Sequence, residues 1–167
     1  MMKLKLFMTL GMAAIVSPNV FAFDAKFVDP AWDGISVPAG QQCQKFGGKN
    51  PSTPELLVSG IPAGTNVLVL EYSDRNFEKM DNGGHGVMAF MLDASANQIT
   101  IPSVAGHTFD LPTAFAIVEA QRAPEWDTAG VYMPPCSGGR KHAYYVTIKA
   151  TQNDKVLATT VVEMGKF

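Results

Sequence analysis

The sequence predicts a mainly β domain made of two packed sheets. Three observations carry that reading. Short apolar or alternating runs recur along the chain, each closed by a turn rich in Gly, Pro, Asn or Asp. Gly and Pro are plentiful, at 15 and 11 of 167 residues, which favours short elements over long helices. Only Leu111–Ala120 has the look of a helix, with Pro112 in its first turn, and a strand over Phe115–Val118 competes with it. A hydrophobic content of 47% suits one globular domain. Charged residues make up 17% and the formal net charge is −2, so no basic surface argues for nucleic acid.

The elements follow in order. Phe23–Gly40, punctuated by Pro30, Gly34, Pro38 and Gly40, predicts a short edge strand and an extended arm. Gln41–Pro54 is loop, Leu56–Ser59 is a short apolar run, and Gly60–Thr65 is a turn. Val67–Glu71 is an apolar, β-branched and leucine run, the pattern of a buried central strand. Arg75–Gly84 is polar and ends in Asn82-Gly83-Gly84, after which His85–Leu92 predicts the next strand. Asp93–Gly106 reads as loop around a short strand at Gln98–Ile101, and Ala123–Thr128 as one helical turn. Tyr132–Gly139 is irregular by composition. Ala143–Ala150 alternates, with Tyr144, Val146 and Ile148 on one face and Tyr145, Thr147 and Lys149 on the other. Asn153-Asp154 signals a hairpin, returned by a strand over Val156–Val162.

The first residues stand outside this pattern. Lys3 and Lys5 precede an apolar run, Leu6–Val16, which Ser17-Pro18-Asn19 breaks before Val20-Phe21-Ala22. That is the layout of a secretory signal peptide over residues 1–22, with cleavage after Ala22 and a mature domain over 23–167. The apolar run is shorter than the about 20 residues a membrane span needs, so no integral membrane protein is expected. Losing Lys3 and Lys5 leaves 11 basic residues against 15 acidic, a net charge of −4. A periplasmic or secreted location follows. Two cysteines in an oxidising compartment, Cys43 and Cys136, point to one disulfide, with two buried free thiols as the alternative. The bridge would close a loop of about 94 residues, worth on the order of 4–5 kcal/mol in the chain-entropy model.

Chemistry-bearing residues gather where apolar strands meet Gly- or Pro-rich loops. Such junctions hold side chains at a rigid strand end that is open to solvent. Asp74, Asn76, His85, His142 and Tyr144 all occupy junctions of this kind, and we expect them to converge on one small anion-binding pocket. A carboxylate at Asp74 would hold His85 protonated and oriented, although spacing alone fits a solvent-facing turn Asp and an incidental His as well. His142 follows Gly138-Gly139-Arg140-Lys141, where cations and Gly amides suit phosphate or carboxylate; plain solvated loop charges fit too. The histidines show no HxH, HExxH or i, i+4 spacing, so neither a metal nor another cofactor is expected. No GxSxG elbow is present, and the methionines, Met88 and Met91 among them, read as core.

In order and spacing, several motifs together resemble the phosphatidylethanolamine-binding protein (PEBP) family, in its bacterial Raf-kinase-inhibitor-like branch. They are Asp29-Pro30-Ala31-Trp32-Asp33-Gly34, Gly48-Lys49-Asn50, Thr53-Pro54-Glu55-Leu56 and Ser59–Thr65. Asp74-Arg75-Asn76 stands where that family has D-P-D, and His85 where it has the His of H-W. Tyr132–Gly139, with Pro135 inside it, is similar to Y-x-G-P-C-P-P-x-G, and His142-Ala143-Tyr144 to H-R-Y. The resemblance covers nearly the whole mature chain and implies a mostly antiparallel β-sandwich with few short helices. It also implies a small pocket at one end, binding phosphate or a phospholipid headgroup through the positions of Asp74, His85, His142 and Tyr144, with no enzymatic activity. The chain departs from the pattern at Arg75, Asn76, Gly86, Ala143 and Ser137-Gly138. The leading expectation is a binding module for a small anion or phospholipid headgroup. A secreted regulator acting on a protein partner through surface loops is the alternative, and a hydrolase using His85 and Asp74 lacks a nucleophile.

Overall fold

A computed structural model describes residues 22–93 and 95–167. The expected signal peptide lies outside these residues except for Ala22. Among the described residues, eight strands form two antiparallel sheets. β1 (Asp24–Phe27), β2 (Leu56–Ser59) and β5 (Gln98–Ile101) make a three-stranded sheet in the order β1-β2-β5. β3 (Val67–Asp74), β4 (Val87–Met91), β6 (Phe115–Glu119), β7 (Ala143–Gln152) and β8 (Lys155–Lys166) make a five-stranded sheet in the order β6-β4-β3-β7-β8. The helical content among the described residues is two 3-10 turns, Gln44–Phe46 and Glu78–Met80. Among these residues no helix is long and apolar enough to cross a membrane.

Alternation in β3 shows why the sheets stack. Leu68, Leu70 and Tyr72 are buried while Val67, Val69 and Glu71 are half-buried. The buried set packs with Leu56 and Val58 of β2, Met88 and Phe90 of β4, and Val146 and Ile148 of β7 into one core. Burying a side chain such as Leu70 stabilises by about 1.5–3 kcal/mol. On the opposite face, beside Val67 and Val69, the Lys149 ammonium donates to Glu71 Oε1 at 2.6 Å, a diagonal cross-strand pair. β7 and β8 are joined through Asn153 and Asp154, both at positive φ (47° and 66°), the backbone of a type I′ hairpin.

Three expectations change. Leu111–Ala120 is not helical: β6 runs Phe115–Glu119, because Phe115 pairs with Phe90 across the ladder and their rings meet edge-on at 5.0 Å. Tertiary packing overrides local propensity there. Ala123–Thr128 forms turns rather than a helical turn. His85 precedes β4 instead of opening it, since Gly86 sits at φ +120° and its amide closes a turn onto the Gly83 carbonyl. A Cβ at Gly86 would lie 2.1 Å from the Val131 carbonyl oxygen, so that approach requires glycine.

A second, smaller apolar cluster of Cys43, Met80, Ala123, Met133 and Cys136 sits apart from the sandwich core. Cys43 and Cys136 are disulfide-bonded, with Cα atoms 5.2 Å apart, so the first long loop is tied to the irregular segment Tyr132–Gly139. The Cys43 amide also donates to the Pro135 carbonyl at 3.0 Å. This cluster is the floor on which the candidate site is built.

Candidate functional site

At the end of β3 the alternation stops, and Ser73 and Asp74 are both buried. Asp74 faces Tyr144 in the β3–β7 register, which carries its carboxylate to the start of β7. There the His142 Nδ1–H donates to Asp74 Oδ2 at 2.7 Å. The other Asp74 oxygen accepts the Asn76 amide at 2.8 Å, and Asn76 Oδ1 accepts the Ala143 amide at 2.8 Å. Asn76 therefore acts as a clasp: it locks the turn after β3 against β7 and holds the Asp74–His142 pair in register.

His85 is oriented by a different partner. Its Nδ1 lies 2.7 Å from the Met133 carbonyl oxygen. A carbonyl only accepts, so Nδ1 carries the proton, and Nε2 of the neutral ring is left as an acceptor. Burial lowers the His85 pKa below the ordinary histidine value; the Met133 carbonyl and the Asp74 charge oppose this, and His142 adds to it. The expected pairing of Asp74 with a protonated His85 is thus replaced by Asp74 with His142 and His85 with a backbone carbonyl. Tyr144 packs edge-on against the His85 ring, centroids 5.3 Å apart, and its hydroxyl oxygen accepts the Cys136 amide at 3.1 Å. Burial pushes the Tyr144 phenol up to about 12, so it stays a neutral hydroxyl.

Asp74, His85, His142 and Tyr144 line one cavity of about 260 Å³. Met80, Ala123, Met133 and Cys136 supply its apolar floor, and Ser137 adds a hydroxyl that donates to the Phe167 carbonyl. Arg140 and Lys79 bring positive charge to the wall. Lys79 is paired with Glu125 at 2.9 Å, whereas Arg140 has no ion-pair partner among the described residues. Phe77 and Trp126 line the same cavity while remaining 49% and 42% exposed, so the mouth carries two aromatic faces. Asn76 and Pro135 do not line the cavity; the first clasps the strands and the second is buried beside the disulfide. Arg75 is directed elsewhere, bonded to Glu163 and stacked 3.9 Å over the Tyr145 ring.

Similarity to known proteins is structural. The crystal structure of E. coli YbcL, described as a new member of the mammalian PEBP family, superposes with a TM-score of 0.59. The match covers 87% of this chain and 97% of YbcL at 20% sequence identity. The chain has the PEBP fold. No family model matches the sequence, and no curated protein matches it either.

On this PEBP fold, sequence reasoning missed Phe77, Trp126 and Met133 as lining residues, along with a whole second histidine–carboxylate pair. His107 Nε2 lies 2.6 Å from Asp127 Oδ2, with side chains only 3% and 6% exposed. The one sequence signal for Trp126 was a large aromatic between Glu125 and Asp127 in a loop. His107 and Asp127 gave no signal, because loops 20 positions apart carry no periodicity to connect them.

Proposed function

We propose that the chain is a secreted or periplasmic binding protein of the PEBP type, taking a small phosphoryl anion, free or as a phospholipid headgroup, in this cavity. The observation that carries the reading is His142, held by Asp74 in the wall of a cavity whose Arg140 has no acidic partner. With Nδ1 committed to Asp74, the remaining His142 nitrogen, Nε2, donates to an anion in the cavity when the ring carries a second proton, and Arg140 in the same wall favours a bound anion. The Asp74 carboxylate is turned to His142 and the Asn76 amide, so both its oxygens are bonded before a ligand arrives. The N-terminal pattern and the disulfide support secretion. We propose binding without catalysis, since the Ser137 hydroxyl is bonded to the Phe167 carbonyl and the Tyr144 phenol is held neutral.

Titration with inorganic phosphate and with glycerophosphoethanolamine, followed by NMR, tests this reading. Shifts should centre on His142, Tyr144 and Arg140 and be lost in His142→Ala. Shifts indifferent to both His85→Ala and His142→Ala, or none at millimolar ligand, would overturn it and move the function to a protein partner at the surface loops. The phosphodiester probe binding more tightly than phosphate would favour a lipid headgroup over the free ion.

A further inference from the structure

Cys43, Asp127 and Cys136 come from separate loops, yet their two sulfurs and a carboxylate oxygen all lie within 4.8 Å of one another. Cys43 is 0% and Cys136 6% exposed, and the Asp127 side chain is 6% exposed. Two neighbours fix that carboxylate: His107 Nε2 at 2.6 Å and the Lys45 amide at 3.3 Å. His107 Nδ1 is itself buried with no partner. A neutral disulfide has no use for a buried, oriented carboxylate at its side. Reduction would make matters worse, because a carboxylate opposes formation of thiolates next to it. A divalent cation reverses that sign. Two thiolates and one carboxylate are a donor set suited to Zn²⁺, which takes sulfur and oxygen ligands in a tetrahedron and leaves the fourth position to water.

We propose that the reduced chain holds one Zn²⁺ ion on Cys43, Cys136 and Asp127, with His107 as a positioning residue, so that one site alternates between disulfide and metal. The exchange balances. A dithiol reductant gives two electrons and two protons to the Cys43–Cys136 bond and is left as its own disulfide. The two thiols then release two protons to solvent as the ion binds, and the metal changes no oxidation state. His107 orients the carboxylate as outer partners orient metal ligands elsewhere. Cys136 also lines the phosphoryl cavity, so exchanging disulfide for metal alters that wall as well.

The test uses the purified chain, reduced with a dithiol that is then removed without air. Zn²⁺ is titrated with native mass spectrometry as readout, and Co²⁺ with visible absorption as the signature of thiolate ligation. The reduced protein should take one ion per chain with loss of two protons, and the oxidised protein none. Asp127→Asn, close in shape, should weaken Zn²⁺ binding about tenfold or more, and His107→Ala about tenfold, the usual effect of losing an outer partner. No uptake by the reduced chain at micromolar metal would overturn the proposal. So would equal affinity with and without the Asp127 carboxylate, whether or not circular dichroism shows the reduced chain still folded.

Discussion

Asp74–His142 and Asp127–His107 have the same chemistry and nearly the same geometry, with ring nitrogen and carboxylate oxygen 2.7 and 2.6 Å apart. They differ in what surrounds the rest of the ring. The His142 side chain is 20% exposed and lines the cavity, while His107 is 3% exposed with its second nitrogen buried and unpartnered. One pair leaves its ring at the cavity wall; the other is sealed beside the disulfide. Where the uncommitted nitrogen points decides what a histidine–carboxylate pair can do: an open ring can meet a molecule directly, whereas a sealed one can act only through the carboxylate it orients.

The largest expected effect tests that difference directly. Asp127→Ala would leave His107 buried with neither ring nitrogen bonded and remove the acceptor for the Lys45 amide. Breaking a buried pair from one side costs about 3 kcal/mol or more. Asp74→Ala frees a histidine that can turn to cavity water, so its cost should stay near 1 kcal/mol while ligand binding is lost. Urea unfolding of the two variants checks this. Equal losses of stability would erase the distinction between an open and a sealed pair.

Much of the fold was legible because burial leaves a period. The Val67–Glu71 run, the alternation over Ala143–Ala150 and the Asn153-Asp154 turn each predict an element that forms. Over Leu111–Ala120 the sequence left a helix and a strand over Phe115–Val118 in competition, because Pro112 and a run of small and apolar residues imitate a helix, and the meeting of Phe115 with Phe90 decides for the strand. The four cavity side chains could be nominated from their positions at strand ends, but not their partners. Which histidine meets Asp74 depends on the β3–β7 register, and which group orients His85 depends on where the irregular segment around Met133 lies. Neither quantity is local in sequence.

The next effect sharpens the open side of the comparison. His142→Ala should cost about 1.5–3 kcal/mol of anion binding, the worth of a hydrogen bond to a charged group, while His107→Ala should leave phosphate affinity unchanged in the folded protein. Calorimetric titration of both variants reads it. If His107→Ala weakens binding as much as His142→Ala, the sealed pair is part of the ligand site after all.

His85 supplies a pH test with a definite sign. Burial lowers its folded-state pKa below the ordinary 6.5, and no carboxylate bonds its ring. As pH falls through about 6.5 the unfolded chain takes up a proton there before the folded chain does, so the unfolded state binds more protons and stability falls. The loss should continue until the lower folded pKa is reached. His85→Gln, which has an amide N–H to offer Met133 and nothing to titrate, should flatten this part of the stability profile. Thermal unfolding between pH 7.5 and about 5 follows it; an unchanged slope in His85→Gln would show that the buried ring is not its source.

The smallest effect belongs to Tyr144→Phe. The ring stays, so the edge-on contact with His85 and the packing of a residue only 2% exposed should survive. What goes is the hydroxyl oxygen that accepts the Cys136 amide at 3.1 Å, and with it a neutral donor to the cavity. An unmet backbone amide costs about 1–3 kcal/mol when fully buried, but one beside a cavity can bond water instead, so a stability loss of about 1 kcal/mol or less is expected. Anion affinity should drop by a similar amount, because a phenol held neutral by burial can donate to a ligand at any pH below about 12. The two losses separate by measurement: urea unfolding reads the amide, and phosphate titration reads the donor. A stability loss with unchanged affinity would make Tyr144 a strut for the disulfide loop and leave the anion to His142 and Arg140.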